Sequence, residues 1–298
     1  MMRSPRERSS GVNPDSELDG PETLSDVTSG SGEPRPLGQT STTGKVPTLG
    51  NRSTLDLVVR LLGGAALRTF VVPQREFENR RVRPDQLLFS AGDPLEDLFL
   101  VRFGSFRSVL FAPNGRSQVI AFPMRGDLIG LDALQIHYHP TSVSSLEDSY
   151  VTVLPHRELF ELTLSCPGLA RAIDAALSTV LALNIDAMRV IGTLGAEGRV
   201  ARFLQRYRQR SAYFGYAPRE FTLAMGRADI ASYLGLSIET VSRAFTSLTN
   251  RGIIKVCRRR VSVIDPIRLD EAQNLEPHCL QPPADRNSVD RVRTHSAH

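Results

Sequence analysis

Glu239, Ser242 and Arg243 lie within the stretch "SIETVSRAF", residues 237–245. In a helix their spacing brings an acid, a hydroxyl and a guanidinium onto one face. Val241, Phe245 and Leu248 form an apolar face opposite them. Each polar member of the group can read the edge of a base. An arginine can hold guanine O6 and N7 in a bidentate pair, a carboxylate can accept from cytosine N4, and a serine hydroxyl can serve a thymine or adenine edge. The same residues could equally be an ordinary exposed face carrying one Glu–Arg pair, so the elements around them decide.

Those elements favour base reading. "GRADIASYL" has the pattern of a first helix, "GLS" is a tight turn with Gly235 at its bend, and "SIETVSRAFTSLTN" is a second helix. Ser237 is its N-cap, and Gly252 ends it just past Asn250. "IIKVC-RRR-VSVI" then reads as a β-hairpin. This is helix-turn-helix followed by a wing, an arrangement in which the N-terminal face of the second helix enters the major groove. The base contacts expected are Glu239, Ser242 and Arg243, with Val241, Phe245 and Leu248 packing inward on Ile230 and Leu234. Arg227, Ser237, Thr240, Arg251, Arg258, Arg259 and Arg260 are placed to meet phosphate, which sets affinity and salt dependence but not sequence preference.

Charge agrees. Of the 298 residues, Ala196–Arg268 holds 14 Lys or Arg against 5 Asp or Glu, a local excess of nine, although the whole chain is only +4. A basic block beside an acidic remainder points to a polyanion-binding module joined to something else.

The something else reads in three parts. Residues 1–53 are rich in Ser, Gly, Pro and Thr with few aromatics, and are expected to be disordered. Residues 54–165 open with an apolar-periodic helix, Leu55 to Leu67. They continue as short β-branched or aromatic runs between turns, with Asn114-Gly115 the strongest hairpin signal. Several such strands imply an antiparallel barrel or sandwich. From 166 to 195 the period lengthens. Ile173, Leu177, Val180, Asn184, Ala187, Ile191 and Leu194 recur at steps of four and three, the seam of a two-stranded coiled coil in which Asn184 can pair with its own copy. Leu181, Leu183, Met188 and Val190 are left to pack on the barrel, and a buried intramolecular helix is the competing reading. Residues 196–268 are the winged helix-turn-helix, and 269–298 a loose tail. The fold class is therefore α+β: an antiparallel β-barrel, a long dimerisation helix and a winged helix-turn-helix.

From about Phe77 to Arg268 the chain resembles the CRP/FNR superfamily of bacterial transcription regulators, and the barrel accordingly resembles a cyclic-nucleotide-binding one. "DIASYLGLSIETVSR" is similar to the signature of that family's DNA-binding domain. The match is to the FNR/FixK branch, where a Glu-x-x-Ser-Arg helix reads TTGAT-like half-sites in an inverted repeat. The cyclic-AMP branch usually has Arg where this chain has Ile238, and Gly where it has Ser242. The resemblance implies a homodimer that binds double-stranded DNA and acts through RNA polymerase, in low-oxygen or nitrogen-oxide metabolism.

What the barrel senses is constrained by missing residues. Between Gly126 and His156 there is no Lys or Arg, whereas a cyclic nucleotide needs its phosphate neutralised. Thr141, Ser142 and Ser144 bring hydrogen bonds but no charge. An iron–sulfur cluster needs about four thiolates. Residues 1–165 have no Cys, and Thr152 stands where the family's barrel ligand would match. His137, Tyr138 and His139 are expected to be surface or turn residues and not metal or haem ligands. Of Cys166, Cys257 and Cys279 none has CxxC spacing. Cys257, followed by three arginines, is the candidate redox residue, though a semi-buried wing cysteine would look the same. No cofactor or metal is expected. Without a phosphate loop, HExxH or nucleophile elbow, no enzymatic activity is expected either. No bilayer-spanning run or signal core is read, which places the protein in the cytoplasm without a membrane partner. The alternative is a cyclic-nucleotide-responsive regulator or sensory subunit using the barrel as ligand site.

Overall fold

The computed structural model describes residues 50–63, 73–214 and 219–273. Two antiparallel sheets face each other in the first half. One has the order β1 (Arg52–Thr54), β2 (Glu76–Val82), β9 (Ser149–Pro155), β4 (Asp97–Phe103), β7 (Leu128–Ile129). The other runs β3 (Leu87–Phe89), β8 (Ser142–Ser145), β5 (Phe106–Phe111), β6 (Ser117–Ala121).

Strand β4 shows how the sequence builds this. Its middle, Leu98–Val101, is apolar throughout because both faces are buried there. Phe99 and Val101 point between the sheets, where they meet Val82, Phe106, Val143 and Val151. Leu98 and Leu100 point the other way. They pack beneath a layer of helices: α1 (Leu55–Gly63), α2 (His156–Ser165) and the start of α3 (Pro167–Thr193). Gly104 turns β4 into β5 at φ +87°, and a Cβ there would run into Ser149. The β5–β6 hairpin closes at Asn114-Gly115, where Asn114 Oδ1 accepts from Arg116 N at 3.1 Å.

The second half starts at α4 (Ala196–Tyr213) and continues through β10 (Glu220–Thr222), α5 (Arg227–Leu234), α6 (Ile238–Asn250), β11 (Ile254–Cys257), β12 (Arg260–Val263) and α7 (Pro266–Ala272). Leu204, Leu223, Ile230, Leu234, Val241, Phe245, Leu248, Val261 and Leu269 share one core. The wing sheet has three strands in the order β10-β12-β11, so Glu220–Thr222 adds a strand to the expected hairpin.

Several boundaries move. Residues 50–54 are ordered, not part of a disordered 1–53. β1 pairs with β2, and Ser53 is buried, its hydroxyl bonded to Asn79 at 2.6 Å. Residues 1–49 lie outside the described residues. The tail does not begin at 269, because α7 buries Leu269 and Ala272 in the DNA-binding core and Asp265 caps it by accepting from Ile267 N and Arg268 N. Residues 274–298, Cys279 among them, are outside the described residues, as are 64–67 of the first helix.

The seam of α3 shifts in phase. Ile173 packs in the barrel–helix core, and Leu194, just past the helix end, is buried, so neither is free for a partner. Val180 and Ala187 line a cavity against the protein's own barrel. The exposed large apolar positions are Leu177 (40 %), Val180 (40 %), Leu181 (62 %), Ile185 (59 %), Met188 (75 %) and Ile191 (40 %). With exposed Asn184, five positions step 177, 181, 184, 188, 191, a heptad seam one position over from the expected one at 181 and 188, where the side chains are more exposed than at 180 and 187. Leu181 and Met188, assigned to the barrel by sequence, face outward because the barrel covers only one flank of the helix. By length and composition α3 is also apolar enough to cross a membrane, contrary to the sequence expectation. The same exposed stripe accounts for that composition.

Candidate nucleic-acid interface

The recognition helix is held by ordinary capping and packing. Gly235 takes the left-handed conformation (φ +63°) between α5 and α6. Ser237 Oγ accepts from Thr240 N at 3.1 Å and lies 2.8 Å from Thr240 Oγ1, so both phosphate candidates sit at the positive end of the helix. Val241, Ala244, Phe245 and Leu248 are buried, which turns the opposite face outward.

On that face the structure brings Glu239, Ser242 and Arg243 together and leaves them exposed. Arg243 Nη2 meets Glu239 Oε1 at 2.5 Å. Ser242 Oγ donates to the Ile238 carbonyl at 2.9 Å and keeps its lone pairs. Beside them Ile238 is 55 % exposed. Sequence reasoning did not count it as a contact, although an exposed β-branched residue in the first helical position was the signal, since apolar side chains meet thymine methyls.

The phosphate candidates divide. Arg258 is exposed at the wing tip with φ +55°, and Arg260 is exposed opposite Cys257, 3.9 Å from Glu220. Arg259 Nη1 instead donates to the Ala224 carbonyl at 2.9 Å, fastening the wing to the loop before α5. Arg251 is ion-paired with Glu197 of α4, which also accepts from Ser247 Oγ at 2.5 Å. Arg227 opens α5 as expected, but its guanidinium stacks on Phe245 at 3.3 Å, and burial lowers its pKa. Cys257 is exposed at the end of β11.

The helix-turn-helix also leans on the barrel. Arg107 of β5 pairs with Asp229 of α5 at 2.7 Å, Ser232 Oγ accepts from Val119 N at 2.9 Å, and Phe122 packs among Phe203 and Tyr233.

Comparison with known proteins agrees with this arrangement. Residues 79–166 match the cyclic nucleotide-binding domain, and residues 198–272 the Crp-like helix-turn-helix domain. The chain is 35 % identical over 188 residues to the transcriptional regulatory protein btr of Bordetella pertussis, covering 63 % of this chain and 78 % of that one. It is 33 % identical over 190 residues to the anaerobic regulatory protein of Pasteurella multocida, covering 64 % and 70 %. The chain belongs to the CRP/FNR family of transcription regulators. Another relative is the fumarate and nitrate reduction regulatory protein of Escherichia coli K12, 33 % identical over 182 residues, covering 61 % of this chain and 73 % of that one. Among solved structures, FixK2 of Bradyrhizobium japonicum superposes with a TM-score of 0.60 at 28 % identity, covering 66 % of this chain and 96 % of that one.

As a CRP/FNR regulator the chain binds DNA through its helix-turn-helix domain, the α5–α6 unit. The residues present do not fit the family's iron–sulfur cluster. Thr152, which the resemblance sets at the place of a barrel ligand, is buried with its hydroxyl 2.8 Å from Asn79 Oδ1. Cys166 is buried at the α2–α3 junction, and Cys257 is on the wing. A cyclic nucleotide fits poorly too. A cavity of about 240 Å³ lies between the barrel, α3 and α4, but the lining arginines come from α4 and are engaged. Arg202 and Arg206 bind Asp186, Arg210 binds Asp127 at 2.6 Å, and Arg199 holds backbone carbonyls. His139 corrects the expectation of a surface loop: it is 2 % exposed and stacks on Phe89 at 3.6 Å, with Nδ1 unpartnered. Among the described residues no three His, Cys, Asp or Glu side chains converge as a metal site would require.

Proposed function

We propose that the protein is a homodimeric, non-catalytic regulator that reads TTGAT-like half-sites in an inverted repeat and acts on promoters through RNA polymerase, in low-oxygen or nitrogen-oxide metabolism. The observation that carries this is the exposed Glu239–Ser242–Arg243 group on the first turns of a capped helix whose other face is buried. The apolar stripe Leu177–Leu181–Asn184–Met188–Ile191 supports the dimer, because an exposed stripe of that length on a 27-residue helix calls for a partner, and an Asn in it can select a two-stranded register. The relatives from Pasteurella, an anaerobic regulatory protein, and Escherichia, a fumarate and nitrate reduction regulatory protein, support the metabolic setting. Such a regulator works in the cytoplasm, without a resident cluster or haem.

The test joins sedimentation with binding. In air and without cofactor, the full chain at micromolar concentration should be a dimer and should prefer a TTGAT inverted repeat over a scrambled duplex. A monomer that binds only after cluster or haem reconstitution would overturn the reading. The match of residues 79–166 to the cyclic nucleotide-binding domain supports a second reading, a cyclic-nucleotide-responsive regulator. Its distinguishing result is specific binding that appears only with added cyclic nucleotide.

A further inference from the structure

The helix carrying the seam and the helix opening the DNA-binding domain meet at a short joint. α3 ends at Thr193, Leu194 and Gly195 link it to α4, and α4 turns back along α3. Two clusters hold that bend. Arg199 closes it, donating to the carbonyls of Leu194 (2.9 Å), Ile191 (2.7 Å) and Leu234 (3.0 Å), which caps the ends of α3 and α5 together. Further up, Asp186 of α3 accepts from both Arg202 Nε and Arg202 Nη2 at 3.1 Å, from Arg206 Nη1 at 3.2 Å and from Arg189 Nη2 at 3.0 Å.

One carboxylate therefore serves three guanidiniums, two of them on the other helix. The group is substantially shielded, with side-chain exposures of 19 % for Asp186, 27 % for Arg202 and 18 % for Arg206. Burial opposes the charge on Asp186, but the hydrogen bonds from Arg202 and Arg189 outweigh it and hold its carboxyl below the usual range. Arg202 continues the chain of contacts to Gln273 Oε1 at 3.0 Å, at the end of α7. Asp186 is next to Ile185 in sequence but faces α4, away from the exposed seam. Without it, three like charges would share one point with no counter-ion, and repulsion would open the bend at Gly195.

We infer that Asp186 is a positioning residue that sets the angle between the dimer axis and the recognition helices, and so the half-site spacing the protein accepts. The inference rests on the dimeric inverted-repeat reading above. A dimer reads two half-sites about one helical turn apart, and that separation is a geometric property of the protein. A clamp on the bend acts on spacing without touching a base.

The experiment measures fluorescence anisotropy with the full chain on two sets of probes. One set is inverted repeats with the half-site separation varied by one and two base pairs either side of the best. The other is a duplex with a single half-site. Wild type should show a sharp optimum. Asp186→Asn should lose about 10- to 100-fold at the optimum, the range expected for losing one or two charge-assisted hydrogen bonds. It should flatten the spacing profile, bind the single half-site as wild type does, and sediment as a dimer. Arg202→Gln should copy it, Asp186→Glu should restore part of the optimum, and Arg189→Gln, whose partner is on its own helix, should change nothing. An unchanged profile for Asp186→Asn would overturn the inference. So would an equal loss on the single half-site, which would make the cluster a support of the DNA-binding fold, or dissociation to monomers, which would make it a support of the seam. If wild type itself shows no preference for an inverted repeat, the dimeric reading fails, and this inference fails with it.

Discussion

Replacing Arg243 by alanine separates recognition from folding. In the free protein Arg243 makes one ion pair, to Glu239 at 2.5 Å, with side-chain exposures of 79 % and 72 %. An exposed i,i+4 pair is worth about 0.3–0.5 kcal/mol, so the melting temperature should fall by no more than about 1–2 °C. On DNA the loss is larger. A bidentate arginine–guanine contact contributes about 1–3 kcal/mol of discrimination, and a dimer makes it twice, so about 2–6 kcal/mol is at stake. That is about 30-fold to 2 × 10⁴-fold in the cognate dissociation constant. Binding to scrambled sequence should change little, since it rests on phosphate contacts. The alanine variant also leaves Glu239 facing the groove without its partner, so the double variant with Glu239→Ala should bind all sequences somewhat more tightly than the single variant but recover no specificity. The assay is anisotropy with cognate and scrambled duplexes at one fixed salt concentration, beside a thermal melt. A variant that melts normally and keeps the wild-type ratio of cognate to scrambled affinity would refute the docking of α6 in the major groove.

Leu181→Asp and Met188→Asp should each shift the dimer toward monomer in sedimentation and abolish binding to an inverted repeat, whereas Val190→Asp should act through stability, because Val190 is buried and lines the barrel cavity. Arg258→Asn, which suits the left-handed backbone at φ +55°, should weaken binding to all sequences alike and reduce the salt slope by about one per protomer bound; Arg259→Ala should in addition loosen the wing, seen as faster amide exchange around Ala224. Burial lowers the pKa of His139, against the opposing charges of Asp132 and Asp93. The folded state therefore resists protonating it, so its contribution is fully present above the unfolded value of about 6.5 and is lost as pH falls from there toward the lower folded value. Thermal melts from pH 8 to pH 5 should show a steeper loss for wild type than for His139→Gln, and parallel curves would rule this out.

The recognition unit was legible from residues 226–263 alone. Its signals are local: Ser237 caps within one turn, Gly235 is needed where φ is positive, and the helical period separates Val241, Phe245 and Leu248 from Glu239, Ser242 and Arg243. Strand β4 and the Asn114-Gly115 hairpin were legible for the same reason. The seam was half legible. A heptad names two apolar stripes on α3 equally well, and only the barrel's position decides that Val180 and Ala187 are partly covered along its cavity while Leu181 and Met188 face out. β1, β10 and α7 were missed because three-residue strands and a seven-residue helix carry too little periodicity of their own. Each exists through a distant partner: Glu76–Glu78 for β1, Arg260–Ser262 for β10, and the α4 core for α7. The arginines divided in the same way. The sequence put Arg199 and Arg202 in the basic block and Arg251, Arg258 and Arg259 among the phosphate contacts. The tertiary structure sends Arg199 to helix-end carbonyls, Arg202 to Asp186, Arg251 to Glu197 and Arg259 to Ala224, leaving Arg258 exposed at the wing tip. A long charged side chain has no periodic signature. Its role is set by which carboxylate or carbonyl the fold brings within about 3 Å.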